Sequence, residues 1–101
     1  MFMMYTIKST EIFKDWLKGL KDSKARGSIA LRVQRLTQGL KGDVKPVGSG
    51  ISELRIHTGK GYRVYFKHRD NQVIILLCGG DKQTQKQDIE QAKKLAKELG
   101  I

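Results

Sequence analysis

The sequence predicts an α+β fold: one domain of order β-α-α-β-β-β-α, with an antiparallel-rich sheet packed by a helical hairpin and a C-terminal helix. Three observations carry this. Apolar residues recur at helical spacing as far as Leu40, they alternate from Ile51, and helical spacing returns after Thr84. A chain of 101 residues has the length of a single domain and can bury one core.

The first strand is expected at Met3 to Lys8. Ser9 or Thr10 can cap the next helix, where Glu11 suits the first turn and Ile12, Phe13, Trp16, Leu17 and Leu20 form a stripe. Trp16 lies in that stripe and reads as core. After Asp22-Ser23 a second helix is expected to Gln38, with Ile29, Val33, Leu36 and Leu40 on one face and Gly39 at its end. The short turn between the two helices implies an antiparallel hairpin.

Gly42 to Gly50 holds the only proline, Pro46, and three glycines, and reads as a loop. Beyond it Leu54 and Ile56 alternate with Glu53, Arg55 and His57. Thr58-Gly59-Lys60-Gly61 forms a hairpin connection to Tyr62, Val64 and Phe66, which alternate with Arg63, Tyr65 and Lys67. Arg69-Asp70-Asn71 is a second turn. Val73 to Cys78 is continuously apolar, as in the centre of a sheet, and Gly79-Gly80 is expected to break it. The last helix runs from Thr84 to Leu99, with Thr84 and Gln87 in capping-box spacing and Ile89, Ala92, Ala96 and Leu99 as its buried stripe.

Charge gives the first functional direction. Twenty Lys and Arg face ten Asp and Glu, for a formal net charge of +10 and a pI near 10.0. Such a balance favours association with polyanions: nucleic acid, an anionic membrane or an acidic partner. The basic residues are spread throughout, so they belong to a folded surface. Cys78, the single cysteine, lies in an apolar run and reads as a buried small hydrophobe. No apolar run approaches the roughly 20 residues of a membrane span, and the start of the chain lacks a signal-peptide pattern; a cytoplasmic location without membrane contact is expected.

No Cys/His set has zinc spacing, and no phosphate-binding glycine loop is present. His57 and His68 stand near opposite ends of the hairpin, which argues against a two-histidine ribonuclease. A row of basic groups remains. Arg55 and His57 share one face of their strand, the hairpin can bring Arg63 and Lys67 beside them, Lys60 sits at the tip and Lys82 follows the apolar strand. Alternation alone leaves open which face the helices cover, and a solvated basic face would look the same.

Ser52-Glu53-Leu54-Arg55-Ile56, Gly61-Tyr62-Arg63-Val64-Tyr65-Phe66, Val73-Ile74-Ile75-Leu76-Leu77 and Gly80-Asp81-Lys82-Gln83-Thr84-Gln85 together resemble the RelE/ParE toxin superfamily, in its HigB-like or Gp49-like branch of phage-derived killer proteins. The resemblance spans nearly the whole chain and implies a RelE-like fold and ribosome-dependent cleavage of messenger RNA without metal or cofactor. It assigns phosphate stabilisation to Arg63, phosphate orientation to Arg55 and a phosphate or leaving-group contact to Lys82. His57, whose ordinary pKa is near neutrality, is the implied acid or base. Lys60, Lys67, Arg26, Arg32 and Arg35 are implied contacts for RNA or the ribosome. The implied partners are the ribosome, messenger RNA and a cognate antitoxin, often of helix-turn-helix type. Some relatives carry a catalytic tyrosine or histidine near the C-terminus; after Lys82 this chain has neither. A ParE-like gyrase poison and a non-catalytic nucleic-acid-binding module remain open alternatives.

Overall fold

The computed structural model describes residues 4–101; Met3, which the sequence places at the start of the first strand, lies outside them. The elements are β1 (Thr6–Ser9), α1 (Glu11–Gly19), α2 (Ser23–Thr37), β2 (Val44–Gly48), β3 (Ile51–Ile56), β4 (Tyr62–His68), β5 (Val73–Asp81) and α3 (Gln85–Glu98). The five strands form one sheet in the order β1-β5-β4-β3-β2, with β1 parallel to β5 and every other pair antiparallel.

The sheet carries apolar layers on both faces. Leu54, Ile56, Val64, Phe66, Ile74 and Leu76 face Phe13 of α1 and Ala25, Ile29 and Leu36 of α2. Ile51, Tyr65, Ile75, Leu77 and Cys78 face Ala92 and Ala96 of α3. Helices therefore cover both sides, with α1 lying over β5, α2 over β3 and α3 over β5 and β4. This explains the uninterrupted apolar run of β5, a central strand that has no solvent face. Trp16 packs beside Phe13 and Tyr62, with ring centroids 5.8 and 6.4 Å away, as its place in the stripe implies.

Several local expectations are corrected. Gly42 to Gly50 is not simply a loop, because Val44–Gly48 forms the edge strand β2 against β3. Pro46 is compatible with this position because an edge strand has one unpaired side, and a register shift follows it. Gly79-Gly80 does not end β5, which continues to Asp81. Both glycines are sites of close approach. A Cβ on Gly79 would lie 2.3 Å from the Trp16 ring on one face, and a Cβ on Gly80 1.7 Å from the Asp88 carboxylate on the other.

The expected capping box at Thr84 is absent. Its hydroxyl instead donates to Asp88 Oδ2 at 2.5 Å and accepts from the Asp81 amide at 3.3 Å. Thr10 does cap α1, accepting from the Phe13 amide at 3.0 Å. Ile12, Leu40 and Leu99, expected in buried stripes, are exposed. Leu40 and Leu99 lie beyond the last helical residues of α2 and α3, so the periodicity overran the helix ends.

Candidate functional site

The β3–β4 register makes Arg55 and Arg63 direct cross-strand partners, and one step inward pairs Glu53 with Tyr65. Paired side chains share a face, so these four groups form a two-by-two patch on the α3 side of the sheet. Two cationic side chains placed opposite each other repel. A carboxylate beneath them offsets that repulsion.

That carboxylate is Glu53, which has no exposed surface. Its Oε1 accepts from Arg55 Nε at 2.9 Å. Its Oε2 accepts from the Tyr65 hydroxyl at 2.9 Å and from the Gln85 amide, on the first residue of α3, also at 2.9 Å. Arg63 Nε stands 3.6 Å from the same oxygen. Burial by itself would raise the Glu53 pKa, but the hydrogen bonds from Arg55, Gln85 and Tyr65 and the charge of Arg63 outweigh it and hold the carboxyl below its ordinary range. Burial, followed by the hydrogen bond and charge of Glu53, pushes the Tyr65 phenol far up, so it stays a hydrogen-bond donor at all ordinary pH. Among the described residues, Arg63 Nε is buried without a hydrogen-bond partner.

The remaining candidates divide by position. Lys60 pairs with Asp81 at 3.3 Å, and the Lys82 stem passes over Gly61, so both sit at the Arg63 end of the sheet. His57 Nε2 lies 2.6 Å from Asp43 Oδ2, and this pair is exposed. The hydrogen bond from His57 chiefly lowers the Asp43 pKa, and the charges of Arg55 and Arg32 add to it. Arg32 reaches this edge from α2, where Gly42 leaves room for its guanidinium. The fold thus gathers Arg55, Arg63, His57, Arg32, Lys60 and Lys82 around one end of the β3–β4 hairpin.

Three candidates lie elsewhere. Lys67 pairs with Ile51, four residues from Arg63, or about 13 Å along the strand. Arg26 donates to the Leu20 carbonyl across the α1–α2 turn, and Arg35 lies exposed in the last turn of α2. His68 packs edge-on against Tyr5 at the opposite end from His57. No group of three or more His, Cys, Asp or Glu is arranged to hold a metal ion among the described residues. No helix among them is long and apolar enough to cross a membrane.

Residues 15–99 match the family model described as "Phage derived protein Gp49-like (DUF891)". The chain belongs to this Gp49-like family. An uncharacterized protein of Haemophilus influenzae is 52% identical over 99 residues, covering 98% of this chain and all of the relative. The fold is also similar to a chain in the crystal structure of the toxin–antitoxin complex RelBE2 from Mycobacterium tuberculosis. The TM-score is 0.64 at 16% identity, over 79% of this chain and 93% of that one.

In this Gp49-like protein the sequence pattern points to the arginines and not to what holds them. Glu53 and Tyr65 were accessible by arithmetic, because a hairpin that pairs Arg55 with Arg63 must also pair Glu53 with Tyr65. Gln85 had no such signal, since its contact with Glu53 spans 32 residues and depends on how α3 docks. Asp43 and Asp81 carry no local signal for their roles, because their partners His57 and Lys60 come from other segments, and Asp88 meets both Thr84 of its own helix cap and the backbone of β5. Asp88 occupies the space above Gly80, the β5 partner of Arg63. Its carboxyl is raised chiefly by burial, with the Thr84 hydrogen bond opposing and the charge of Asp81 adding to the rise.

Proposed function

We propose that this Gp49-like protein is the toxin of a type II toxin–antitoxin system and cuts messenger RNA on the ribosome. One observation chiefly supports this reading. Arg55 and Arg63 stand opposite each other over a buried carboxylate, at the end of the sheet where Lys60, Lys82 and Arg32 add positive charge. Similarity in fold to a chain of the RelBE2 toxin–antitoxin complex supports the same reading.

The chemistry suits such a site. The ribose 2′-hydroxyl loses its proton and attacks the adjacent phosphorus; the new O–P bond forms as the bond to the 5′-oxygen breaks, and that oxygen takes up a proton. The products are a 2′,3′-cyclic phosphate and a 5′-hydroxyl. The phosphate gains charge in the transition state, and donors already in place lower that barrier without reorganising. Arg63 is assigned this stabilisation, and Arg55 orients the phosphate. Lys82 is assigned a contact with the phosphate or the leaving group. His57 moves a proton, with Asp43 holding its ring. The antitoxin covers this basic end, and its contact surface is acidic.

Purified protein incubated with a message, with and without ribosomes, tests the reading. Cuts that appear only with ribosomes support it. An intact message and unaffected translation overturn it and direct attention to gyrase. Gel filtration of the protein co-expressed with the product of the neighbouring reading frame tests the partner: a stable complex is expected, and two separate peaks would contradict it.

A further inference from the structure

We propose that Glu53 is a positioning residue for the cleavage site: buried under the arginine pair and held by Tyr65 and Gln85, it anchors the Arg55 guanidinium by a hydrogen bond and holds Arg63 by charge. This inference rests on the cleavage reading above.

A fully buried carboxylate in an arginine-rich patch has few structural reasons to exist. Desolvation makes it costly, and replacing such a group by apolar side chains is often neutral or stabilising. Here all of its interactions converge on one geometry. Three donors from three elements meet its two oxygens at 2.9 Å each. Arg55 is anchored through Nε, and only 29% of its side chain is exposed. Anchoring at Nε leaves the two terminal nitrogens without a hydrogen bond among the described residues, and they form an edge that suits two phosphate oxygens.

Arg63 is held differently. Its Nε is 3.6 Å from Glu53 Oε2, beyond a good hydrogen bond, and has no partner among the described residues. Glu53 therefore supplies Arg63 with a counter-charge without using up its donors. The Arg63 side chain, only 10% exposed, is thus held beside Glu53 by charge and not by a hydrogen bond from it. Gln85 makes the arrangement depend on α3, because the amide that completes Oε2 comes from the first residue of that helix. Without that amide, Oε2 would keep only the hydrogen bond from Tyr65.

The experiment compares wild type, Glu53→Gln, Tyr65→Phe and a core control, Leu36→Ala, in the ribosome-dependent cleavage assay, below the melting temperature of every variant. Glu53→Gln removes the counter-charge and sets an amide against the donors of Tyr65 and Gln85. The expected result is a fall in kcat of about 100-fold, the scale of loss for a misplacement near 1 Å, with little change in KM. Tyr65→Phe, which keeps the ring, loses less. Leu36→Ala melts lower yet cuts normally. Glu53→Gln activity equal to wild type, or a loss matched by Leu36→Ala, overturns the inference. The Arg Nε–Hε NMR signals give a readout free of activity: wild type shows a protected Arg55 signal that Glu53→Gln loses. An unchanged signal overturns the positioning role even if wild type cuts no message, in which case the cleavage reading fails separately.

Discussion

Gly79→Ala places one methyl group where the fold allows none. The added Cβ would lie 2.3, 2.4 and 2.6 Å from Cζ3, Cε3 and Cη2 of Trp16. Ordinary carbon–carbon contact begins at about 3.5 Å, so the indole would have to retreat by about 1 Å. It has little room, since Phe13 and Tyr62 flank it with ring centroids at 5.8 and 6.4 Å. Gly79 does not have a positive φ, so the substitution adds no left-handed strain and reports on the Trp16 contact alone. Overpacking of this kind costs about 1–3 kcal/mol. With a urea m-value near the low end for small domains, about 1 kcal/mol/M, the midpoint should fall by roughly 1–3 M. Equilibrium urea unfolding followed by Trp16 fluorescence measures it. A midpoint equal to wild type would mean that α1 is not seated over β5 as described, and would refute the packing argument.

Other consequences follow from the same geometry. Gly27, in the middle of α2, has nothing within 4 Å of its Cβ position, so Gly27→Ala should stabilise by about 0.5–1 kcal/mol in the same urea assay; a loss would place a neighbour there. Asp88→Asn should melt above wild type at neutral pH. The raised Asp88 pKa means that the ionised carboxyl is penalised in the folded state, and the penalty vanishes as the pH falls through that pKa, so the gap should close on acidification. Glu53 has the opposite sign. Its folded pKa is depressed, so its contribution is complete above the ordinary glutamate pKa and is lost as the pH falls through the folded value. Glu53→Gln should therefore melt below wild type at neutral pH and approach it in acid; parallel melting curves across the pH range would contradict both assignments.

The parts of the fold legible in sequence are those written in local periodicity. The alternation from Leu54 to Lys67 gave the hairpin and its turn, and set Arg63 on the strand beside Arg55; the register that pairs the two directly is a property of the folded sheet. The apolar run of β5 marked a strand buried on both faces. Edge strand β2 was hidden because Pro46 and three glycines are loop residues in most settings, and only pairing with β3 makes Val44–Gly48 a strand. Gly79 and Gly80 looked like a strand end for the same reason, since the tertiary contacts that require them, Trp16 and Asp88, come from helices on opposite faces. The site divides along that line. Its arginines could be set on adjacent strands from sequence, whereas Gln85 meets Glu53 only through the docking of α3.

The most direct measurement is primer extension on a message from a cell-free translation reaction, run with wild type and Arg63→Ala side by side and a ribosome-free control. The expected result is a set of ribosome-dependent cuts with wild type that Arg63→Ala reduces by about 100-fold or more, the scale set by losing a transition-state charge stabiliser. Cuts of equal strength with Arg63→Ala would remove Arg63 from the site, and an uncut message with wild type would contradict the proposed activity itself.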